Sequence, residues 1–401
     1  MSGQAFSAGG LAALHDTIAR HVASDAAPGA VGLVHRRGET HVMAVGTTAI
    51  GGGEPMTRDA IFRIASMTKP VTAAAVMMLI DGGLIALSDP VERWLPELAD
   101  RRVLRSLDAQ LDDTVPAARP ITVEDVLSFR LGLGLVMAPP GTYPIQREIE
   151  RLGLMGFGPP DPASPLDNGA WMRGLGSLPL MAQPGEQWLY TAGANVQGVL
   201  VARVAGMPLS RFMDERIFAP LGMADTGFWT PPARQGRLVP AYSGPAADLI
   251  CYDDPAASDW GRPPAFEAGD AGLVSTVDDF LVFARMMLSG GKHDGRTILS
   301  EASVAAMMTD HLTAAQRKGG AMILGEGHGW GYGLSVVKDA GAESPRAGAI
   351  GWSGGLGTSW FSDPAADLTA ILLTQRAFED PSGPPIHRAF QAAAYLTLAD
   401  E

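Results

Sequence analysis

The sequence predicts an α/β domain built on an antiparallel sheet, with a second, mostly helical domain inserted into it. Strand patterns cluster near both ends of the chain, and those near the C-terminus follow one another closely, as antiparallel strands can. The middle of the chain is rich in Pro and Gly and contains only short helical patterns. We therefore predict the α/β domain at residues 1–88 and 269–401, and the helical domain at residues 89–268.

The first part of the α/β domain has clear boundaries. Apolar residues at helical spacing predict a helix over residues 10–23, and a strand pair follows at 30–35 and 41–45, joined by a turn at 36–39. A further strand is predicted near 61–64. The next helix carries a long apolar run and ends at Asp81, before a Gly-Gly pair that is a usual C-terminal signal.

Similar local patterns predict the helices and strands in the rest of the chain. In the middle region, Thr122 and Asp125 have the spacing of a capping box, which predicts a short helix there. Ser275 and Asp278 have the same spacing at the start of a strongly apolar helix through Leu288. The remaining predicted elements are helices at 195–204, 209–217 and 385–398, and strands at 329–337, 347–350, 358–361 and 368–373.

Composition excludes several classes of function. The chain has 401 residues and a net charge of −13, which argues against nucleic acid or an anionic membrane as partner. The single cysteine, Cys251, excludes an intrachain disulfide. We find neither a signal peptide nor an apolar segment long enough to span a membrane, so we expect a cytoplasmic protein. The eight histidines lack zinc-ligand spacing and no phosphate-binding motif occurs, so we predict neither a metal nor a cofactor.

The strongest chemical signal is the pair Ser66 and Lys69 at the start of the apolar helix. The chain has only four lysines, and this one lies in an apolar run, three residues after a serine. Residues at i and i+3 share a helix face, so the amine and the hydroxyl can touch. Apolar surroundings disfavour an ammonium, and a neutral amine can take the hydroxyl proton. Ser66 is also expected to cap this helix, where backbone N–H groups suit an oxyanion.

A competing motif occurs near the C-terminus. The segment 351–355 reads Gly-Trp-Ser-Gly-Gly and matches the nucleophile elbow of α/β-hydrolases, with Asp363, Asp367 and His387 following in triad order. However, an elbow leads from a strand into a helix, whereas the segment after Ser353 has a strand pattern. We therefore favour Ser66 over Ser353 as the nucleophile.

Several motifs together resemble the serine β-lactamase and penicillin-binding-protein group, in particular its class C β-lactamase-like branch. The resemblance covers nearly the whole chain in the expected order. It rests on Ser66-Met-Thr-Lys69, on the Pro-Gly…Tyr segment 183–193, on 220–228, on the Gly-Leu-Val-Ser-Thr segment 271–279, and on Trp352-Ser-Gly354. It implies an α/β sandwich with an antiparallel sheet flanked by helices, an all-helical domain, and a site between the two.

The resemblance also implies a role for each site residue. Ser66 is expected to be the nucleophile, and Lys69 and Tyr190 to share the general acid and base work. The backbone N–H groups of Ser66 and Gly355 are expected to form the oxyanion hole. Trp352, Ser353 and Gly354 are expected to bind substrate, because they stand where relatives have a Lys-Thr-Gly or His-x-Gly motif.

Departures from the lactamase pattern indicate the kind of substrate. Ala192 stands where lactamases have an asparagine, and Trp352 replaces a lysine that helps to bind the β-lactam carboxylate. Residues 129–132 read Phe-Arg-Leu-Gly, where relatives often have His-Thr-Ser-Gly. The loss of polar groups and the gain of an apolar wall resemble the family VIII carboxylesterases.

We therefore predict a serine carboxylesterase that acts on small or short-chain esters through an acyl-enzyme. The alternatives are a β-lactam or amide hydrolase, or an acyltransferase, on the same scaffold. A catalytically silent binding protein is a further alternative, which the intact Ser66, Lys69 and Tyr190 disfavour.

Overall fold

The computed structural model describes residues 4–24, 27–156, 158–341 and 345–399. The helices within these residues are α1 Ala8–Ala23, α2 Thr68–Asp81, α3 Val123–Leu127, α4 Pro144–Arg151, α5 Asn168–Ser177, α6 Ala192–Ala205, α7 Leu209–Met213, α8 Ala219–Leu221, α9 Val277–Leu288, α10 Glu301–Met307, α11 Ala314–Leu324 and α12 Pro385–Leu396.

The strands are β1 Gly29–Arg36, β2 Glu39–Gly46, β3 Phe62–Arg63, β4 Arg102–Leu104, β5 Thr114–Pro116, β6 Ala241–Ser243, β7 Ile250–Asp253, β8 Val274–Ser275, β9 Lys292–His293, β10 Arg296–Thr297, β11 His328–Trp330, β12 Ser335–Val337, β13 Ile350–Gly354, β14 Thr358–Asp363 and β15 Leu368–Thr374.

The main sheet has the strand order β11-β12-β13-β14-β15-β1-β2, and every neighbouring pair is antiparallel. The C-terminal strand β15 pairs with the N-terminal strand β1, so the two ends of the chain share one sheet. The fold class predicted from the sequence, an antiparallel sheet flanked by helices, is confirmed. The domain boundaries stay a prediction.

Helices cover the sheet on both faces. On the outer face, Val34 and Leu372 pack with Phe390 of α12 and Leu14 of α1. On the inner face, Val31, Leu33 and Ile371 belong to the large core that also contains α2 and α9. Alternation of side chains along each strand places these two apolar sets on opposite faces.

Helix α2 lies at the centre of the molecule, and residues 68–79 are all buried. A helix that is apolar all round has no solvent face, which agrees with its position between the sheet and the helices of the middle region. On one side it contacts α6, whose residues 192–201 are also buried. The segment that begins at Lys69 is thus held in place by its surroundings over its whole length.

Two predicted strands are wrong. The strand predicted at 347–350 begins only at Ile350, because residues 347–348 form a turn. The segment 329–337 does not form a single strand; it forms a hairpin of β11 and β12, closed by a hydrogen bond of 2.9 Å from Gly331 N to the Leu334 carbonyl. Gly333 adopts φ +77, and an added Cβ would lie 2.6 Å from the Lys69 carbonyl oxygen. Glycine therefore permits both the turn and its close approach to α2.

Several predicted helix boundaries are confirmed. The capping box of Thr122 and Asp125 is present, and α2 ends at Asp81 before Gly82. The N-cap of α9 is Thr276, one residue later than the predicted Ser275, because the Thr276 hydroxyl accepts a hydrogen bond from Asp279 N. No helix in the described ranges is both long and apolar enough to cross a membrane.

Candidate active site

Ser66 lies in a strained turn just before α2. A short 3₁₀ turn, Ala65–Met67, carries it, and Met67 occupies the N-cap position of α2 without a side-chain cap. The predicted capping role of Ser66 is wrong, because this extra turn places the serine before the cap position. Ala65 has φ +44, a conformation that costs a residue with a Cβ about 1–2 kcal/mol. Strain of this kind concentrates at functional sites.

The sheet holds this turn in place. The Thr358 hydroxyl donates a hydrogen bond of 3.0 Å to the Ile64 carbonyl. Gly354 of β13 lies so close to the same carbonyl that any Cβ would collide with it. Gly354 therefore lets β13 approach the turn, and it is not among the residues that line the adjacent cavity.

Lys69 reaches Ser66 directly. Its Nζ lies 2.9 Å from Ser66 Oγ and donates a second hydrogen bond of 2.9 Å to the Asp270 carbonyl. The side chain is 1% exposed, and its Nζ lies 4.4 Å from the centroid of the Tyr190 ring. The predicted i, i+3 contact is therefore present, at a distance over which a proton can move between nitrogen and oxygen.

Tyr190 lies beside Lys69 and is held by an indole. Trp352 Nε1 donates a hydrogen bond of 2.7 Å to the Tyr190 hydroxyl. The next residue, Thr191, has φ +83, so a second strained residue adjoins a candidate catalytic side chain. The ring packs in an aromatic cluster with Phe129, Trp188 and Trp330. Trp352 is thus a hydrogen-bond donor as well as the apolar wall expected from the sequence.

Asp270 and Asn195 are parts of the site that sequence reasoning missed. Asn195 Oδ1 accepts a hydrogen bond of 3.1 Å from Asp270 N, which fixes the carbonyl that Lys69 contacts. Asp270 itself lines the cavity beside Ser66. Burial raises the pKa of its carboxyl, while the charge of Lys69 and a hydrogen bond with Asn195 oppose the rise. The sequence did offer one signal for Asp270, since this acidic residue directly precedes the motif segment 271–279.

The role of Gly355 as an oxyanion donor stays a prediction. It follows β13 and lines the same cavity as Ser66. Its carbonyl accepts from Phe378 N, whereas no backbone carbonyl of the described residues accepts its N–H. A backbone N–H without a backbone acceptor can donate to an oxygen of a bound substrate.

These groups share one cavity of about 770 Å³, within the usual size range of small-molecule sites. Its walls include Ser66, Lys69, Tyr190, Trp352 and Gly355. Most of the remaining wall is apolar, for example Leu135 of the middle region, Leu324 at the end of α11 and Leu356 in the turn between β13 and β14. No group of metal-ligating side chains occurs among the residues that the structure describes.

The competing serine has different surroundings. Ser353 lies within β13 opposite Ser359 of β14, so a strand, and not a helix, follows it. The Ser359 hydroxyl bonds His387 Nδ1 at 2.8 Å, whereas Asp363 accepts from Tyr395 and backbone N–H groups. Asp367 binds Arg285. The strand–turn–helix context that an elbow needs is therefore absent at Ser353, although this residue does lie on the cavity wall.

The departure at 129–132 has a structural explanation. Phe129 adopts φ +59, and its ring packs against Trp330 with 5.0 Å between the ring centroids. Arg130 donates to Ser128 Oγ and to the His311 carbonyl, and it pairs with Glu124. Its guanidinium is thus engaged in protein contacts, and it is not among the residues of the cavity wall.

A serine hydroxyl, a buried amine and a phenol that meet in one cavity, beside an antiparallel sheet, define a site of the active-site-serine class. The chain also matches the Beta-lactamase family model over residues 14–394. The protein belongs to that family, and the resemblance recognised in the sequence motifs is confirmed.

Individual relatives agree with this assignment. The chain is 41% identical over 357 residues to Protein Rv1367c of Mycobacterium tuberculosis, covering 86% of this chain and 85% of the relative. It is 33% identical over 379 residues to Esterase EstB of Burkholderia gladioli, covering 89% of this chain and 88% of the relative.

Among solved structures, EstCE1, a hydrolase with promiscuous acyltransferase activity, superposes with a TM-score of 0.81 at 28% identity, covering 96% of this chain and 98% of that one. Family membership, with an esterase and a hydrolase among the relatives, supports an enzyme.

Proposed function

We propose that this protein is a serine carboxylesterase in which Ser66 forms an acyl-enzyme. The observation that carries the proposal is the 2.9 Å contact between Lys69 Nζ and Ser66 Oγ in a cavity that also contains Tyr190. EstB is named an esterase and EstCE1 a hydrolase, and both match the chain over most of its length, which supports the same reaction class here.

In the first half of the reaction, Lys69 and Tyr190 accept the Ser66 hydroxyl proton. The Ser66 oxygen attacks the ester carbonyl and forms a new C–O bond. The N–H groups of Ser66 and Gly355 stabilise the oxyanion, a contribution that reaches several kcal/mol in serine hydrolases. The ester bond then breaks, and the alkoxide leaves with the proton returned by Tyr190.

In the second half, water replaces the alcohol. It gives one proton to the same pair and attacks the acyl carbon. The bond from the acyl carbon to Ser66 Oγ then breaks, the carboxylic acid leaves, and the pair returns the proton to Ser66 Oγ. The part-buried Trp352–Tyr190 hydrogen bond of 2.7 Å supports a role for Tyr190 in proton transfer, because an N–H donor stabilises negative charge that develops on an oxygen.

The substrate class follows from the cavity wall. By the resemblance to the lactamases, Trp352 replaces a lysine that helps to bind the β-lactam carboxylate. The adjacent walls are mostly apolar. Uncharged esters, including the small and short-chain esters predicted from the sequence, suit such a wall better than β-lactams do. An acyltransferase is the second candidate, since an alcohol that replaces water in the second half would give an ester, and the similar protein EstCE1 is a hydrolase with promiscuous acyltransferase activity.

A panel of p-nitrophenyl esters, with a chromogenic cephalosporin beside it, tests the proposal. We expect kcat/KM for the esters to exceed kcat/KM for the cephalosporin. A fluorophosphonate probe followed by peptide mapping should label Ser66.

The matched variants are Ser66→Ala, which should abolish both labelling and turnover, and Ser353→Ala, which should retain both. A label on residues 351–355, with Ser66→Ala still active, would show that the nucleophile is assigned to the wrong residue. No labelling and no ester turnover in the wild type would favour a silent binding protein.

A further inference from the structure

The cavity beside Ser66 continues onto the outer face of the main sheet. Trp360 of β14 belongs to the inner core, and Trp352 lies opposite it in β13. Successive side chains of a strand point to opposite faces, so Ser353 and Phe361 face outward, and Phe361 belongs to the outer core. All four of these residues line the one cavity. We call its part on the outer face the outer cavity, and the residues that line it include Ser335, Ser353, Phe361, His387, Arg388 and Gln391.

Two buried polar atoms of this wall lack a hydrogen-bond partner. His387 is 4% exposed and Ser335 is 6% exposed. Among the residues that the structure describes, neither His387 Nε2 nor Ser335 Oγ has a hydrogen-bond partner. The other imidazole nitrogen, Nδ1, lies 2.8 Å from the Ser359 hydroxyl and shares a hydrogen bond with it. A buried polar atom without a partner is rare, because it has lost its hydrogen bonds to water. The two atoms therefore indicate that a bound group completes their hydrogen bonding.

The outer cavity lies close to the place where the ester reacts. The Phe378 ring packs edge-on against His387 with 4.9 Å between the ring centroids, and Phe378 N donates a hydrogen bond of 2.7 Å to the Gly355 carbonyl. Ser353 precedes Gly355 by two residues, which places their Cα atoms within about 7 Å of each other. A chain of a few atoms spans this distance from an ester carbonyl at Ser66.

The outer cavity favours an uncharged group. Burial lowers the pKa of His387 to about 3, so its imidazole is neutral, and Nε2 donates or accepts according to the tautomer. Of the charged residues beside it, Glu379 pairs with Arg376 at 3.0 Å. Asp380 and Arg388 carry opposite charges, so they give no net attraction to an ion. The serine hydroxyls and the carboxamide of this wall each donate and accept hydrogen bonds, and a hydroxyl group matches such partners because it does both as well.

We propose that the outer cavity is a subsite for a hydroxyl group carried by the substrate ester. This inference rests on the proposed function and narrows its substrate class to hydroxylated esters. With the ester carbonyl at Ser66, the substituent passes the turn between β13 and β14. Its hydroxyl then contacts His387 and Gln391 of α12 and Ser335 of β12. The hydroxyl is part of either the acid or the alcohol, and the chemistry of recognition is the same.

Two substitutions remove polar groups of the outer cavity. Gln391→Leu removes a carboxamide at a partly exposed position of α12, where the fold should tolerate the change. His387→Phe removes Nε2 and keeps an aromatic ring next to Phe378. Gln110→Leu is the matched control, because Gln110 lies on an exposed loop and is not among the residues of the cavity wall. Labelling of Ser66 by a fluorophosphonate counts the folded active sites of each variant.

The substrates form two pairs, and the members of each pair differ by one hydroxyl. The acid changes between p-nitrophenyl hexanoate and p-nitrophenyl 6-hydroxyhexanoate. The alcohol changes between hexyl acetate and 6-hydroxyhexyl acetate, whose hydrolysis is followed by pH-stat titration. In one pair, we expect both variants to lower the ratio of kcat/KM, hydroxylated over plain ester, by about 2- to 12-fold, the factor for one lost hydrogen bond. The affected pair identifies the part of the ester that the subsite binds.

The control variant should keep the wild-type ratio in both pairs. If Gln391→Leu and His387→Phe also keep it in both pairs, water alone completes the buried polar atoms, and the subsite assignment is wrong while the esterase proposal stands. If His387→Phe does not fold, the ratios of Gln391→Leu decide the question alone. If the wild type hydrolyses none of the four esters, the esterase proposal fails, and the subsite assignment fails with it.

Discussion

The contribution of the Trp352 indole N–H to kcat can be measured, because this group donates a hydrogen bond to the Tyr190 hydroxyl. Trp352→Phe removes the donor, which lies 2.7 Å from the Tyr190 hydroxyl, and keeps an aromatic ring near Tyr190 and Trp330. A hydrogen bond to a group that carries charge contributes about 1.5–3 kcal/mol. If the phenol oxygen gains negative charge as Ser66 loses its proton, the loss corresponds to a decrease of roughly 10- to 150-fold in kcat.

The assay is steady-state hydrolysis of one p-nitrophenyl ester by the wild type and the variant, with kcat and KM determined separately. We expect kcat to fall while KM stays within about twofold, because the missing interaction strengthens only in the transition state. Trp171→Phe is the matched control. Trp171 is buried in α5 and donates to the Leu154 carbonyl at 3.0 Å, so its loss should lower the free energy of unfolding and leave kcat unchanged.

Two results would refute the reasoning. A kcat within twofold of the wild type means that the indole N–H does not act in the transition state. A higher KM with an unchanged kcat means that Trp352 acts only as a substrate wall, as the sequence alone suggested.

Three further changes have defined outcomes. Lys69→Arg should lower kcat on a simple ester by about 10²–10⁴-fold, because a guanidinium cannot act as a base; near-wild-type kcat would contradict the role of Lys69. Asp270→Asn removes a carboxyl whose pKa is raised by burial and lowered by Lys69. The part of the pH profile of kcat/KM that depends on ionisation of this carboxyl should therefore be missing in the variant, and an unchanged profile would show that the ionisation of Asp270 does not affect the reaction. Burial lowers the pKa of His387 from 6.5 to about 3, so below pH 6.5 the unfolded chain binds a proton that the folded chain does not. The free energy of unfolding should therefore fall by about 2 kcal/mol from pH 7.5 to pH 5 through this group, and urea titrations should show that His387→Gln loses less over the same interval.

Local spacing was enough to predict part of the site. Ser66 and Lys69 are three residues apart, and helical geometry brings such residues together almost regardless of the rest of the chain. The end of α2 at Gly82 and the capping box at Thr122 were predictable for the same reason. The failed prediction for Ser66 as a cap shows the limit, since a one-turn 3₁₀ segment before α2 leaves no distinctive sequence pattern.

The motif at 351–355 shows how much a short pattern depends on its surroundings. Its five residues match a nucleophile elbow, but they form the end of β13 and the turn into β14. The residue types permitted either structure. The antiparallel pairing of β13 with β14 decided between them, and that pairing depends on residues on both sides of the motif.

The sequence by itself determined the family, the antiparallel sheet and the Ser66–Lys69 pair, because these depend on motif order and on contacts within one helical turn. Only the tertiary structure decided that Trp352 donates to Tyr190, that Asn195 fixes the Asp270 backbone against Lys69, and that the cavity continues onto the outer face of the sheet. These contacts join residues separated by 75 to 201 positions. Their geometry is set by the packing of α2, α6 and the sheet around a common core, which no local spacing encodes.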